Sequence, residues 1–354
     1  MAAQAGGWLP FDRYMATVLY APGLGYYARG DRQFGQLARD GSDFVTAPEM
    51  SPLFGRALAV QVAQALHATG TDAVWEFGAG RGTLAAQLLT ALGERVHTYH
   101  VVELSGPLAA RQRETLAAWS GRVHWHAELP PAIDGVVLGN ELLDALPVKL
   151  LHWDGARWFE RGVRVEPGTG KLAWADRPTE LRPPLDDADA VPSFVPGTVT
   201  EIHPQAEAWM RTLAAALRRG ALFLIDYGFP AAEYYHPQRS GGTLMCHRGH
   251  RADPDPLADP GDKDITAHVD FSGIALAGQD AGLQVLGYTS QARFLLNCGV
   301  AGLIEAASLP ERIAAQRLLH EHEMGELFKV IGFATAGTVF DAIGFAAGDR
   351  SHRL

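Results

Sequence analysis

The chain has 354 residues, with 30 lysines and arginines against 40 aspartates and glutamates, so its formal net charge is −10. The acidic balance disfavours binding to duplex nucleic acid, which depends on basic surface, and no apolar run approaches the ~20 residues of a membrane-spanning helix. Two cysteines, Cys246 and Cys298, cannot form a disulfide framework. Because residues 1–10 also lack a signal-peptide pattern, we expect a cytoplasmic location.

Strands and helices are predicted to alternate along the first half of the chain. Amphipathic spacing predicts a helix over 11–19, and Ser51-Pro52 begins a second helix that ends at Gly70. The next elements are strands at 73–77, 97–104, 122–125 and 135–139 and helices at 83–92 and 107–119. This alternation indicates βαβ units and a parallel sheet, with ligands at the carboxyl ends of the strands.

The alternation is interrupted and then resumes in the second half. Residues 148–203 are rich in proline, glycine and charge and contain a hairpin-like piece at 150–165, so we expect an inserted β-rich element there. Beyond it the patterns predict helices at 204–219 and 271–281, strands at 221–227, 283–288 and 327–333, an irregular loop at 229–268 and a helical stretch at 292–323. The fold class that follows is α/β.

A glycine-rich turn joins the strand at 73–77 to the helix at 83–92. Gly78, Gly80 and Gly82 allow the backbone to turn sharply and lie against a ligand. Glu76 precedes this turn, and Glu103 ends the next strand. The spacing differs from the G-x-G-x-x-G of dinucleotide-binding loops, and carboxylates would repel a pyrophosphate but suit a cation and a vicinal diol. The alternative is a turn that only packs the helix on the strand.

This turn resembles the first motif of class I S-adenosylmethionine-dependent methyltransferases. The resemblance implies that Glu76 faces the amino group of the methionine moiety and that Glu103 binds the ribose hydroxyls. A nicotinamide-dependent oxidoreductase is disfavoured by the glycine spacing and by Glu76.

Further strings spread along the chain resemble one family. They are YAPGLGYY (20–27), DFVTAPE (43–49), SPLFG (51–55), NELLDALP (140–147), IDYG (225–228), DITAHVDF (264–271) and EMGELFKV (323–330). Together with the glycine turn they are similar to the MidA family of S-adenosylmethionine-dependent methyltransferases over nearly the whole chain. The loop Phe34–Ser42 looks longer than the family's usual loop, and the N-terminus fits a bacterial cytoplasmic member.

The resemblance implies a Rossmann-like core with a seven-stranded, mostly parallel sheet flanked by helices. It also implies S-adenosylmethionine as cofactor, with S-adenosylhomocysteine as product. Mitochondrial members of the family methylate an arginine of a complex I subunit, so the implied partner is a protein substrate of a respiratory complex. The predicted segments are an N-terminal lid (1–72), the first half of the core (73–147), a β-rich insert (148–203), the second half (204–288), a helical insert (289–325) and the last strand with the C-terminal tail (326–354).

Candidate catalytic residues follow two of the predicted strands. Glu141 and Asp144 come after the strand at 135–139, and carboxylates at such a place can hold a guanidinium bidentately. The alternative is a polar pair that caps a turn. Asp226 ends the strand at 221–227 and can either face the ligand crevice or cap a loop.

A second group of candidates lies in loops. His268 is either a proton acceptor poised by Asp270 or a local hydrogen-bonding residue, with Asp270 capping the helix at Phe271. Thr46 and Glu49 are candidates for the cofactor site, or alternatively fix the turn before Ser51. Asn140 is assigned to the cofactor site as well.

Metal chemistry is not expected. Cys246, His247 and His250 are clustered, but a closed zinc site needs four ligands. Two other functions stay open from the sequence: a small-molecule methyltransferase, and an assembly factor that binds the cofactor with little catalysis and uses the inserts as partner surfaces. The sequence leaves the acceptor, the number of methyl groups and the oligomeric state open.

Overall fold

The computed structural model describes residues 7–28, 45–185, 194–249 and 251–354. The α-helices in these residues are α1 Phe11–Tyr20, α2 Ala47–Met50, α3 Pro52–Thr69, α4 Thr83–Leu92, α5 Gly106–Thr115, α6 Pro204–Ala216, α7 Ala231–Tyr234, α8 Phe271–Asp280, α9 Gln291–Asn297, α10 Val300–Ala306 and α11 Leu309–Leu319. Short 3₁₀ turns occur at Gly93–Arg95, Ala117–Trp119, Ile343–Phe345 and Ser351–Arg353, with a π turn at Glu321–Gly325.

The strands of the described residues belong to three sheets. They are β1 Trp8–Pro10, β2 Ala73–Phe77, β3 Thr98–Val102, β4 Val123–His126, β5 Ile133–Asn140, β6 Lys149–Trp153, β7 Trp158–Val165, β8 Leu172–Pro178, β9 Val199–Ile202, β10 Leu217–Phe229, β11 Met245–Arg248, β12 Arg251–Asp253, β13 Asp264–Thr266, β14 Val269–Asp270, β15 Leu283–Ser290 and β16 Phe328–Thr335.

The central sheet has the order β15-β16-β10-β5-β2-β3-β4, and the two-residue strand β14 pairs with β10. Strands β10, β5, β2, β3 and β4 run parallel, whereas β16 is antiparallel to both of its neighbours. In the described residues this sheet therefore has the seven predicted strands in one continuous order, plus β14. The mostly parallel α/β fold class is confirmed.

Helices cover both faces of this sheet because successive residues of a strand point in opposite directions. Val136 and Leu138 of β5 pack with α3 and α4 in one apolar cluster. Val137, between them, packs with α6 and α8 in another. A parallel sheet that is buried on both faces reads as a continuous apolar run, which is why β5 and β10 were readily predicted.

The bounds predicted around the glycine turn agree with the structure. The Ser51 hydroxyl accepts a hydrogen bond from the Leu53 amide at 3.2 Å, and Gly70, with φ +62°, ends α3. Strand β2 and helix α4 begin and end at the predicted residues. Paired residues bring three strand ends side by side, since Phe77 is opposite both Val102 of β3 and Gly139 of β5. Ligand-binding residues that follow these strands therefore share one edge of the sheet.

Outside the core, the insert forms its own sheet. Strands β6, β7 and β9 are antiparallel neighbours, with β8 and β1 also pairing with β7. Helix α1 packs on this sheet, with Phe11 and Met15 in a cluster that includes Val148 and Leu150. These contacts accord with a β-rich element at 148–203, while the division of the chain into the predicted segments stays a prediction.

Several predicted elements differ from the structure, and three examples show why. The helical stretch at 292–323 contains three helices, because Gly299 adopts φ +82° and Ser308 begins α11 with a capping box. The loop at 229–268, predicted to be irregular, contains α7 and a small sheet of order β12-β11-β13. The helix predicted at 204–219 ends at Ala216, where β10 begins.

The loop Phe34–Ser42, the first two residues of the DFVTAPE string, and His250 lie outside the described residues. Within the part that is described, every helix falls short of the length and apolar character needed to cross a lipid bilayer.

Candidate active site

A cavity of about 1040 Å³ opens at the carboxyl ends of the central strands. The predicted site residues that line it are Thr46, Glu49, Glu76, Gly78, Gly80, Glu103, Asn140, Glu141, Asp144 and His268. Gly82 and Asp226 are not among the lining residues. Residues from distant parts of the sequence thus meet at one site because the strands that carry them are neighbours in the sheet.

The glycine turn adopts backbone angles that side chains disfavour. Gly78, Gly80 and Gly82 have φ of +66°, +52° and +84°. A Cβ on Gly78 would lie 3.0 Å from Leu142 Cδ1, so the turn packs directly against the loop that follows β5. Gly82 is the N-terminal cap of α4 and donates its amide to the Ala79 carbonyl at 2.7 Å. Gly82 therefore shapes the turn, whereas Gly78 and Gly80 face the cavity.

Glu76 is nearly inaccessible to solvent, with 2% of its surface exposed. The Tyr99 hydroxyl donates a hydrogen bond to its Oε2 at 2.7 Å. Burial raises the pKa of Glu76 to about 7, because a buried carboxylate loses its hydration. A cation beside Glu76 would favour its ionised form, so the carboxyl suits a positively charged ligand group.

Glu103 is held by the residues that follow it. The Ser105 amide donates to Oε1 at 2.8 Å and the Gln112 amide group donates to Oε2 at 3.0 Å. Gln112 also donates to the Gly80 carbonyl at 2.9 Å, so it joins the end of β3 to the glycine turn. Sequence reasoning missed Gln112, because a glutamine inside α5 belongs to no recognisable motif.

The backbone bends sharply where β5 ends. Glu141 has φ +51°, an uncommon angle for a residue with a side chain, and its amide donates to the Ile225 carbonyl at 2.9 Å. Its Oε1 accepts hydrogen bonds from the Ala47 amide at 3.2 Å and from Asn140 Nδ2 at 3.1 Å. Burial and the nearby charge of Asp144 raise the pKa of Glu141 to about 8. The strained backbone aims this carboxyl into the cavity.

Asp226 lies behind the cavity lining and holds the loop that carries Asp144. Its Oδ2 accepts hydrogen bonds from the amides of Leu142, Leu143 and Asp144 at 3.0, 2.8 and 3.2 Å. The Tyr227 hydroxyl donates to Asp144 Oδ2 at 2.5 Å. Burial raises the pKa of Asp144 to about 6 and also raises that of Asp226. The loop-capping alternative thus describes the contacts of Asp226, and the residue acts on the site through the loop it holds.

His268 lines the cavity, and among the described residues Asp270 does not orient it as predicted. Asp270 instead caps α8, since its Oδ1 accepts hydrogen bonds from the amides of Ser272 and Gly273 at 3.1 and 3.2 Å. His268 Nδ1 is buried and has no hydrogen-bond partner among the described residues. Burial lowers the pKa of His268 to about 4, so its imidazole is neutral near pH 7.

The N-terminal residues close one side of the cavity. Thr46 precedes α2, and Glu49 of this helix accepts a hydrogen bond from the Thr83 hydroxyl at 2.6 Å, which ties α2 to the first residue of α4. Tyr20 and Asp264 also line the cavity, although sequence reasoning gave them no role. Both belong to strings that were distinctive as motifs but carried no recognisable chemistry.

Comparison with known proteins identifies the family. Residues 57–289 match the model of a family of S-adenosyl-L-methionine-dependent methyltransferases. The chain belongs to this family. A Burkholderia thailandensis protein crystallised with S-adenosyl-homocysteine is 53% identical, with a TM-score of 0.94 over 100% of this chain and 94% of that one. A second Burkholderia thailandensis structure is 51% identical, with a TM-score of 0.90 over 100% of this chain and 94% of its own.

More distant relatives are mitochondrial. The Mus musculus protein arginine methyltransferase NDUFAF7 is 30% identical over 88% of this chain and 76% of its own length. The predicted membership of a methyltransferase family and the predicted cofactor, S-adenosylmethionine, are both confirmed.

The cavity of this methyltransferase fits that cofactor. Its glycine turn brings backbone close to the ligand space, and the carboxylates of Glu76 and Glu103 suit an ammonium group and a vicinal diol. Asn140 donates to Glu141 through Nδ2, and its Oδ1 is buried with no hydrogen-bond partner among the described residues, so this oxygen offers an acceptor to a ligand. The individual contacts of these residues stay predictions. We call Glu76, Gly78, Gly80 and Glu103 the cofactor side, and Glu141, Asp144 and His268 the acceptor side.

Proposed function

We propose that this methyltransferase transfers a methyl group to the guanidinium of an arginine in a protein partner. The observation that carries the proposal is the convergence of two carboxyl groups, Glu141 and Asp144, on the cavity beside the glycine turn. A guanidinium is planar, always charged and rich in donors, and carboxylates bind it through paired hydrogen bonds. The name of the mouse relative, a protein arginine methyltransferase, supports the same acceptor.

The acceptor side has the electrostatic character that this acceptor requires. Bound S-adenosylmethionine supplies a methyl group on a positively charged sulfonium. A guanidinium that approaches it is a second cation, so carboxylates must offset the repulsion between the two. The charge of Asp144 already raises the cost of ionising Glu141, and a bound cation would relieve that cost. A carboxyl pair that binds one edge of the guanidinium also leaves one guanidinium nitrogen facing the methyl donor.

Transfer also requires a proton acceptor. The new bond joins a guanidinium nitrogen to the methyl carbon, the bond between that carbon and sulfur breaks, and the nitrogen loses one proton because the methylated guanidinium keeps a single positive charge. We assign the uptake of this proton to Glu141, since burial raises its pKa to about 8. His268, whose pKa burial lowers to about 4, is a weaker base.

The MidA resemblance makes a subunit of a respiratory complex the first protein to test. The identity of the acceptor is best found by mass spectrometry of methylated peptides from cells with and without this chain, which reports the modified residue and the protein that contains it.

Replacement of the Glu141 carboxylate by an amide tests the acceptor side. Purified protein with labelled S-adenosylmethionine and the identified partner should transfer methyl groups to arginine, and Glu141→Gln should reduce the rate by about 10³-fold because it removes both the charge and the base. Binding of S-adenosylhomocysteine, measured by calorimetry, should change by less than about threefold, since Glu141 lies on the acceptor side.

The matched control is Glu180→Gln, at a carboxyl that is fully exposed to solvent. It should leave both measurements unchanged. Full transfer by Glu141→Gln would exclude the assigned role. Methylated small molecules without methylated protein would favour the small-molecule alternative, and assembly of the partner by Glu141→Gln without any transfer would favour an assembly factor.

A further inference from the structure

The string YAPGLGYY, at 20–27, folds into a turn that reverses the chain after α1. A Cβ on Gly25 would lie 2.5 Å from the Ala21 nitrogen and 2.7 Å from the Leu19 carbonyl carbon, so only glycine fits there. The reversal lets the amides of Tyr26 and Tyr27 donate to the carbonyls of Val18 and Leu19, each at 2.9 Å. The motif therefore folds Tyr27 back against the C-terminal end of α1.

This turn sets two tyrosines side by side on the cavity wall. The rings of Tyr20 and Tyr27 stack with centroids 5.6 Å apart and an interplanar angle of 20°. The Tyr20 hydroxyl donates to the Ala145 carbonyl at 2.8 Å. The Tyr27 hydroxyl donates to Asp264 Oδ1, also at 2.8 Å. Burial raises the pKa of both phenols, so each donates as a neutral hydroxyl.

Asp264 is a third carboxylate beside the two of the acceptor side. It lines the cavity, only 2% of its surface is exposed, and it is the first residue of β13. Its charge is close enough to Glu141 to contribute to the raised pKa of that residue. A guanidinium held by Glu141 and Asp144 would therefore lie within the field of Asp264 as well.

Tyr27 also contacts the cofactor side, through its backbone carbonyl. The Ser105 hydroxyl donates to the Tyr27 carbonyl at 2.9 Å, and the Ser105 amide donates to Glu103 Oε1 at 2.8 Å. Three hydrogen bonds, joined through the covalent frames of Ser105 and Tyr27, thus connect Glu103 to Asp264. Each link is at ordinary hydrogen-bond distance.

We propose that Tyr27 is a positioning residue that couples the two sides of the cavity. When the bound cofactor orders Glu103 and Ser105, Tyr27 fixes Asp264 as a third carboxylate that binds the acceptor. The inference rests on the proposed function for the chemistry of the acceptor, but the coupling itself does not depend on which acceptor binds. Its consequence is that the acceptor binds more tightly to the protein that already holds the cofactor.

Hydrogen exchange tests the coupling without any acceptor. Saturating S-adenosylhomocysteine should slow amide exchange in a peptide that spans Asp264–Thr266 of the unmodified protein. Tyr27→Phe keeps the ring and the Ser105 hydrogen bond but removes the link to Asp264, so the slowing should disappear there while it persists around Glu103. Tyr20→Phe is the matched control, because its hydroxyl binds a backbone carbonyl, and it should retain the slowing. Equal slowing in Tyr27→Phe and the unmodified protein would overturn the inference.

Binding of a small probe tests the consequence. The probe is the tripeptide acetyl-Gly-Arg-Gly-amide, measured by calorimetry with and without S-adenosylhomocysteine. The ligand should tighten probe binding to the unmodified protein by about tenfold or more, and Tyr27→Phe should reduce this gain to less than about twofold, with less than about a threefold change in S-adenosylhomocysteine affinity.

Asp264→Asn provides a second variant, since its amide oxygen can still accept the hydrogen bond from Tyr27. It should weaken binding of the tripeptide about tenfold while S-adenosylhomocysteine still slows exchange at 264–266. Tripeptide binding as tight as in the unmodified protein would overturn the role of Asp264. If the unmodified protein shows coupled exchange but neither binds the tripeptide nor methylates protein arginine, the proposed acceptor is wrong while the link through Tyr27 stands.

Discussion

The cofactor side and the acceptor side differ in the charges that surround their carboxyl groups. On the cofactor side, Glu76 lies in β2 and Glu103 follows β3, and burial is the main cause that raises the pKa of each. On the acceptor side, Glu141 and Asp144 lie close enough to repel each other, and the pKa of Glu141 rises to about 8. Burial makes ionisation costly on both sides, but on the acceptor side a neighbouring carboxylate adds to that cost, and a bound cation would relieve it.

The two sides also differ in how far their supports are spread along the chain. The glycine turn and Glu103 are joined by Gln112, which belongs to the next helix. Glu141 is instead supported from Ala47 and Asn140, and the Asp144 loop from Asp226. A change in one distant segment should therefore damage the acceptor side more than the cofactor side.

Removal of the carboxylate of Asp226 should have the largest effect on this difference. Asp226→Ala leaves the three loop amides of 142–144 without their acceptor, so we expect a loss of about 3 kcal/mol in the free energy of unfolding and a fall of about 100-fold in the rate of transfer. Denaturant unfolding and labelled-methyl assays measure the two quantities. Affinity for S-adenosylhomocysteine should fall much less than the rate of transfer, because the loop meets the glycine turn through Leu142 while Glu76 and Glu103 keep their own hydrogen bonds.

Asp226→Asn is the matched variant, because it keeps one carbonyl oxygen to accept these hydrogen bonds. It should lose about 1 kcal/mol of unfolding free energy. A parallel fall of transfer and S-adenosylhomocysteine affinity in Asp226→Ala would contradict the separation of the two sides.

Glu103→Gln should produce the reverse pattern. The substitution removes the charge that suits a vicinal diol, so we expect the dissociation constant of S-adenosylhomocysteine to rise by about 10- to 100-fold, as for hydrogen bonds to charged groups. Calorimetry measures this constant directly. Glu94→Gln, at an exposed carboxyl, is the control and should leave it unchanged. An unchanged constant in Glu103→Gln would remove this residue from the cofactor side.

The two sides should also differ in the pH at which their carboxylates become protonated. Glu141 must be ionised to bind a cation, and because its pKa is raised to about 8, protons compete with the acceptor as the pH falls through 8. Affinity for an arginine tripeptide, measured with S-adenosylhomocysteine present, should therefore fall by up to about tenfold per pH unit below 8. Glu141→Gln should remove the dependence that arises near pH 8.

On the cofactor side the corresponding loss should begin lower, since burial raises the pKa of Glu76 only to about 7. Identical midpoints for tripeptide and S-adenosylhomocysteine binding would contradict the assignment of one titrating carboxyl to each side.

How much of the molecule can be predicted from sequence follows from the same contrast. The cofactor side was predictable because its residues form a local pattern: an apolar strand, three glycines and a helix, with acids at fixed distances. Strand β2 and helix α4 even have the predicted bounds. Local chemistry decides these elements, since glycine adopts the positive φ angles at 78, 80 and 82 without the strain that a side chain would add.

The acceptor side was predicted only in part because its geometry is made by contacts between distant segments. Sequence spacing could not show that Asp226 holds the loop of Asp144, that Asp270 caps α8 rather than orienting His268, or that Tyr27 reaches Asp264. Strand β10 brings residue 226 beside residue 141, since Ile225 is opposite Asn140, and this pairing is not encoded in any short motif. The family strings indicated that these segments matter, but they did not show which side chains contact one another.

Substitution of His268 should have the smallest effect and bears on which acceptor-side group moves the proton. Burial, with the charges of Arg239 and Lys329, lowers the pKa of His268 to about 4, so the imidazole is neutral from pH 6 to 9 and can only donate or accept a neutral hydrogen bond. His268→Asn should therefore slow transfer by about two- to tenfold without moving its pH profile. A profile that loses its dependence near pH 8 in His268→Asn would instead show that the histidine is the titrating base, and it would transfer that role from Glu141.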